Sequence, residues 1–204
     1  MQREEKSERS RRAVLDAALY LFAHQGYRAT TMRQIADRAE VSTGNCYHHF
    51  PDKDTIFLAL IEEYYEITES ERFPFTRVLN HSDPFPDNLE QLGYAARDSV
   101  RQYRNYLALF YVDVIEFGGT HLQKFYRAFS DRYARYFQAQ SPEFVQTRIR
   151  ANVSPESALL LTARIFFNYF SMEILFGVPE PFGKTPNEVV KEIADIIRNG
   201  VCER

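Results

Sequence analysis

Residues 31–50 read TMRQIADRAEVSTGNCYHHF, and this stretch decides the fold. Thr31 and Gln34 have the Thr-x-x-Gln spacing of a capping box, in which a hydroxyl and an amide bind backbone groups at the start of a helix. Ser42 can cap a second short helix. That helix ends before Pro51, because proline disfavours helical geometry at the residue that precedes it. The sequence therefore predicts two short helices joined by a tight turn.

Longer helices flank this stretch on both sides. The preceding helix begins near Ser7 or Ser10, has an apolar stripe at helical spacing and ends at Gly26, a residue suited to the left-handed position after a helix. The following helix is capped by Asp52 and repeats apolar residues at i, i+3 and i+4 spacing. Two short helices held by longer ones are typical of a helix-turn-helix.

The remainder of the chain also favours helices and has no alternating apolar pattern of useful length. The proline-rich segment 73–88 is interpreted as the end of a helix followed by a loop, and helices are expected over about 88–117 and 120–139. A helix beginning at Ser154-Pro155 is apolar on nearly every side through residue 176, so it must be covered by its own core and by a second subunit. We predict an all-α protein of about nine helices.

Composition excludes several classes of protein. The most apolar run, residues 158–176, contains charged and polar side chains, so no membrane-spanning segment is predicted. Cys46 and Cys202 do not form a disulfide framework, and a cytoplasmic location is expected. The net charge is −3. Residues 1–55 hold nine Lys and Arg against eight Asp and Glu, a balance of +1, so a DNA-binding surface must depend on where the charges lie.

Many fixed spacings around the two short helices match a single family. The matching residues are Gly26, Tyr27, Thr30, Thr31, Ile35, Ala36, Ala39, Val41, Ser42, Gly44, Tyr47, His49, Phe50 and Lys53. Residues 10–62 resemble the DNA-binding domain of the TetR family of one-component regulators. The resemblance implies a homodimer with a three-helix DNA-binding domain over residues 1–55 and a connecting helix at about 53–72. Residues 56–204 would then form a helical domain for dimerisation and for binding a small effector.

The resemblance also implies which residues contact DNA. The positions that face bases or their surroundings are Thr43, Gly44, Asn45 and His48. The positions that contact phosphate are Thr30, Thr31, Tyr47 and Lys53, and Arg33 on the supporting helix is a further candidate. Two residues depart from the family pattern. Glu40 stands where the family usually has glycine and brings an acid near DNA, and Cys46 replaces a larger apolar residue and is predicted to be buried.

Residues 56–204 give weaker signals for a ligand pocket and a dimer interface. Carboxylates among aromatic rings predict a pocket for a cationic ligand, lined by Tyr103, Phe110, Asp113, Glu116, Phe117, Phe129 and Phe170. Alternatively, the carboxylates cap helices or pair with arginines, and the rings form ordinary core. A four-helix bundle across a two-fold axis predicts interface positions at Leu160, Phe167, Ser171, Ile193 and Ile197.

No catalytic residue, metal site or cofactor is predicted. The adjacent His48 and His49 side chains point about 100° apart on a helix, and no third ligand lies nearby in sequence. The predicted function is that of a ligand-released repressor that binds a palindromic operator in double-stranded DNA, with no membrane partner. The alternative is a helical scaffold that binds a small molecule and does not read DNA, which Glu40 and the weak basic excess would favour.

Overall fold

The computed structural model describes residues 2–201, so Cys202 lies outside the described part of the chain. These residues form helices connected by turns, and the predicted all-α fold class is confirmed. The helices within residues 2–201 are α1 (Gln2–Gln25), α2 (Met32–Arg38), α3 (Thr43–His49), α4 (Lys53–Glu69), α5 (Pro74–His81), α6 (Leu89–Gln102), α7 (Arg104–Phe117), α8 (Thr120–Gln138), α9 (Pro142–Arg148), α10 (Pro155–Ile174) and α11 (Pro186–Val201). None of these described helices is long and apolar enough to cross a bilayer.

Eleven helices occur within residues 2–201 where about nine were predicted. Part of the difference is α5, which lies in the segment interpreted as a loop. Its first residue, Pro74, is tolerated in the first turn of a helix because the backbone N–H that proline lacks would have no partner inside the helix. The short helix α9 begins in the same way with Pro142, behind the cap Ser141. Proline therefore starts both helices.

The chain divides into two compact units. The first unit contains the residues up to 66 together with residues 105–124, and the second contains residues 67–104 and those from 125 onward. The helix-turn-helix thus shares a unit with most of α4 and α7. The functional boundary between residues 55 and 56 stays a prediction.

Apolar residues at helical spacing build the core of the first unit. Val14, Ala18 and Phe22 form one stripe of α1 and are completely buried, and α1 contacts both α2 and α3. The ring of Phe57 on α4 lies 6.0 Å from the ring of Phe22 and 4.8 Å from that of Phe117 on α7. Helices α1, α4 and α7 thus share one cluster of aromatic rings, and α1 in turn packs against the two short helices.

A buried hydrogen bond between a carboxylate and an imidazole closes the corner between α7 and α8 in the first unit. Asp113 is completely buried and accepts hydrogen bonds from the imidazole of His121 and, at 3.1 Å, from the backbone N–H of Leu122. Nearby, Glu116 pairs with Arg28, and the ring of Phe117 lies 5.2 Å from that of His121. These contacts fix the turn between the two helices.

Helix α6 lies at the centre of the second unit and contacts α5, α10 and α11. Gly93 makes the approach possible, because a Cβ atom there would lie 2.7 Å from Val190 Cγ1 and 2.8 Å from Phe166 Cε1. In the same unit, Arg132 of α8 is nearly buried and binds the carbonyl of Thr68, the hydroxyl of Thr76 and the carboxylate of Glu69. That arginine ties α8 to α4 and α5.

The predicted pocket residues are divided between the two units. Phe110, Asp113, Glu116 and Phe117 lie in the first unit, and Tyr103, Phe129 and Phe170 lie in the second. Several of them have partners within their own unit. Tyr103 donates to the carbonyl of Arg72 at 3.2 Å, the ring of Phe129 lies 4.6 Å from that of Phe125, and Phe170 is buried against Tyr169. The assignment of a pocket to these residues stays a prediction.

Candidate nucleic-acid interface

Side-chain caps define where the two short helices begin. Thr31 Oγ1 accepts a hydrogen bond from Gln34 N at 3.2 Å, and Gln34 Oε1 accepts one from Thr31 N at 2.8 Å, so the predicted capping box is present. Ser42 Oγ accepts a hydrogen bond from Asn45 N at 3.1 Å at the start of α3. Three or four residues of local sequence therefore set both helix starts.

The turn between α2 and α3 depends on Glu40. This residue has a φ of 56°, in the left-handed region that glycine adopts without strain and that other residues seldom occupy. The next residue, Val41, donates its backbone N–H to the carbonyl of Ala36 at 3.1 Å, which closes the turn. The position thus requires a conformation suited to glycine while holding an exposed acid.

Helix α3 has one buried side and one exposed side. Cys46 is completely buried, as predicted, and burial raises the pKa of its thiol. Thr43, Gly44 and His48 are exposed, and Tyr47 keeps 51% of its surface exposed. A half-exposed tyrosine offers both a ring face and a hydroxyl to a partner.

Two predicted phosphate-contacting residues are already engaged within the protein. Thr30 is buried, and its hydroxyl donates to the carbonyl of Gly26 at 2.8 Å. Lys53 donates from Nζ to the carbonyl of Tyr27 at 2.8 Å and lies over the Tyr27 ring. Burial lowers the pKa of Lys53, and the carboxylate of Glu116 partly opposes that effect. These residues hold the loop before α2.

Arg33 on the supporting helix is open to a partner, whereas Thr31 uses its hydroxyl and its backbone N–H in the capping box with Gln34. Thr31 and Arg33 are both exposed, and Arg33 has only a long ion pair of 3.9 Å with Asp37, one turn further along α2. An exposed pair of this kind contributes little free energy and breaks readily. The guanidinium of Arg33 is therefore available to a phosphate.

The residues from 14 to 60 match the family described as "Bacterial regulatory proteins, tetR family". The helix-turn-helix segment of this chain is thus of the TetR type. It is 31% identical over 103 residues to the uncharacterized HTH-type transcriptional regulator YuxN of Bacillus subtilis (strain 168), a match covering 50% of this chain and 30% of that protein. It is 42% identical over 64 residues to the HTH-type transcriptional regulator HbdR of Aromatoleum sp. (strain CIB), covering 31% of this chain and 28% of that protein.

These sequence matches span less than a third of the length of either curated relative. A solved structure extends the likeness in fold to the whole chain. The TetR family transcription regulator from Marinobacter aquaeolei VT8 superposes with a TM-score of 0.68 at 14% identity, covering 100% of both chains. The fold is thus shared over the whole chain at low sequence identity.

One part of the interface was not predicted from the sequence. Helix α1 begins at Gln2 and not near Ser7 or Ser10, so its first turns place Lys6, Ser7 and Ser10 beside α3. The signal was the composition of the segment, because glutamate, lysine and arginine are good helix formers. The i, i+3 pair of Glu8 with Arg11, at 3.7 Å, also supports a helix there.

Proposed function

We propose that this chain is a transcriptional regulator of the TetR family that binds double-stranded DNA through α3. The observation that carries the proposal is the division of α3 into a side anchored by Cys46 and an exposed side formed by Thr43, Gly44 and Tyr47. A helix exposed in this way fits a major groove about 12 Å wide. Because its target is DNA, we expect the protein to act in the cytoplasm.

The exposed residues have two roles in this proposal. Thr43 and Asn45, in the first turn of α3, read base edges, while Tyr47, Thr31 and Arg33 contact phosphates on either side of the groove. Lys53 contributes mainly by holding the loop before α2, because its ammonium group already binds the carbonyl of Tyr27. Most of the affinity then comes from phosphate contacts, and the choice of sequence comes from α3.

Binding measurements with selected DNA test these roles. A duplex is first selected from a random pool by the purified full chain, and fluorescence anisotropy is then measured with this duplex and with a scrambled one. Asn45→Ala should lose about 1–3 kcal/mol of discrimination between the two duplexes. Tyr47→Ala should weaken binding to both alike. A chain that binds neither duplex, or variants that do not differ in this way, would overturn the proposal.

We further propose that two copies bind a palindromic operator, with α10 and α11 forming the interface. The proposal is supported by Leu161, Ile165 and Ile196, which keep 58%, 42% and 65% of their surfaces exposed. Among the predicted interface positions, Ser171, Ile193 and Ile197 are buried within the single chain, and Leu160 and Phe167 are half-buried. The interface would thus be formed by these three exposed residues, each of which lies within two residues of a predicted position.

Sedimentation velocity tests the dimer. Ile196→Glu should give a monomer at micromolar concentration, because a charge at the centre of an apolar interface is expensive to bury. Ile115→Glu is the matched control, since Ile115 is 76% exposed on α7 in the first unit. Equal sedimentation of the two variants would exclude α11 from the interface.

We also propose that the protein is a repressor and that a small effector, bound in the second unit, releases it from DNA. The support is chemical. Tyr169 is buried with no hydrogen-bond partner for its hydroxyl, and Arg97 and Glu173 also hold buried atoms without partners. A reporter gene behind the selected operator tests repression, and a metabolite library that reverses anisotropy tests release. Compounds that fail to change either signal would contradict effector control.

A further inference from the structure

An open groove of about 260 Å³ lies between the first turns of α1 and residues 45–49 of α3. The residues that line it are Lys6, Ser7, Ser10, Asn45, His48 and His49. All six side chains are polar, and none of these lining residues is acidic. Both helices belong to the first unit, which we call the head, so the groove lies within the head.

The lining side chains supply donors and positive charge. The ammonium group of Lys6 carries three N–H donors, and Ser7 and His48 add a hydroxyl and an imidazole, all on exposed residues. The hydroxyl of Ser10 already donates to the carbonyl of Lys6 at 3.1 Å, which holds this turn of α1 in helical form. A groove rich in donors is suited to an anion.

Two acids of α1, Glu4 and Glu8, are near enough to weaken the positive charge of this groove, although neither lines it. Because each residue advances the helix by about 100°, Glu4 lies about 60° around the axis from Ser7, whereas Glu5 and Glu8 lie about 140° and about 160° from Ser10. Glu8 instead pairs with Arg11 at 3.7 Å. The lining itself, which has Lys6 and two histidines, can thus offer donors and positive charge to a polyanion even though the charge balance of residues 1–55 is close to zero.

Asn45 belongs both to this groove and to the first turn of α3. A duplex that receives α3 in its major groove therefore brings the adjoining sugar–phosphate backbone towards α1. We propose that the groove binds a backbone phosphate of DNA, with Lys6 and Ser7 of α1 and His48 of α3 as the contacting residues. The proposal rests on the proposed DNA binding and adds α1 to the surface that contacts DNA.

The salt dependence of binding tests this contact. Each phosphate that a protein neutralises changes the slope of log affinity against log salt by about 0.9. Lys6→Ala should therefore reduce the slope by about 1 per subunit, on the selected and the scrambled duplex alike, and Lys6→Arg should keep it. Lys191→Ala, at an exposed position of α11 in the second unit, is the matched control.

Ethylation interference provides a second readout, because a purely structural effect of the substitution would not remove the interference at one particular phosphate. With the wild-type chain, ethylation of one phosphate per half-site beside the α3 contacts should block binding, and with Lys6→Ala this one interference should disappear. Circular dichroism melting verifies that the variant is folded. If the wild type binds DNA and Lys6→Ala matches Lys191→Ala in slope and in interference pattern, the groove proposal is wrong while the proposed function stands. A wild type that binds neither duplex overturns both.

Discussion

The two units differ in how completely their buried polar groups are satisfied. In the first unit, Asp113 has its imidazole and backbone partners, and among the described residues of that unit only Glu63 holds a buried side-chain atom without one. In the second unit, unpartnered buried atoms occur on Asn88, Arg97, Arg132, Tyr169 and Glu173. A buried polar atom without a partner is costly, and native cores contain few of them.

This difference fits the roles proposed for the two units. A unit that holds two short helices in fixed register for a DNA target of constant shape would benefit from buried groups that are nearly all paired. A unit with unmet hydrogen-bonding capacity can gain free energy when a polar molecule enters, which fits the proposed effector site. The following substitutions test whether the contrast holds.

The largest expected effect is from Asp113→Ala. Removal of one partner from a buried pair leaves the other uncompensated, and we expect a loss of about 3 kcal/mol in the free energy of unfolding. Urea denaturation followed by circular dichroism measures it. A loss below about 1 kcal/mol would show that the buried pair is not what holds the α7–α8 corner.

Glu40→Gly should stabilise the head. Glycine adopts the left-handed conformation of this position without steric strain, and the gain should be about 1 kcal/mol in the free energy of unfolding. Glu40→Ala is the matched control, because it removes the acid and keeps the strain. If the control raises DNA affinity as much as Glu40→Gly, the charge and not the backbone limits binding.

Tyr169→Phe should change stability by less than about 0.5 kcal/mol, since the hydroxyl that is lost has no hydrogen-bond partner. Burial and the nearby carboxylates of Glu173 and Glu180 raise the pKa of this tyrosine, which keeps it neutral at physiological pH. Thermal melting of wild type and variant makes the comparison. A large loss would mean that the second unit is as fully paired as the first.

The smallest effect concerns His49 and pH. Burial lowers the pKa of His49 below its ordinary value of 6.5, and the charges of His48 and Arg11 add to this shift, while Glu8 opposes it. The unfolded chain therefore binds more protons as the pH falls below that value, so this contribution to stability is present above it and is lost on acidification. His49→Gln should show a smaller fall in melting temperature between about pH 7.5 and about pH 5.5. Parallel curves would contradict the shift.

The head was predictable because its structure is determined by local rules. Caps at Thr31 and Ser42 and the stop at Pro51 act over three or four residues, so they can be recognised in the sequence alone. The engagement of Lys53 was not predictable, because its partner, the carbonyl of Tyr27, is a backbone group that any residue would provide. The pairing of Asp113 with His121 depends on the angle between two helices, and no residue spacing encodes it.

The buried thiol of Cys46 allows local opening of the head to be measured. Since the sulfur is completely enclosed and burial raises its pKa, a thiol reagent can reach it only when α3 detaches. In a chain whose other cysteine, Cys202, is replaced by serine, the labelling rate of Cys46 reports how often α3 detaches. If α3 binds in the major groove as proposed, DNA should lower the labelling rate, because the bound helix detaches from the rest of the head less often.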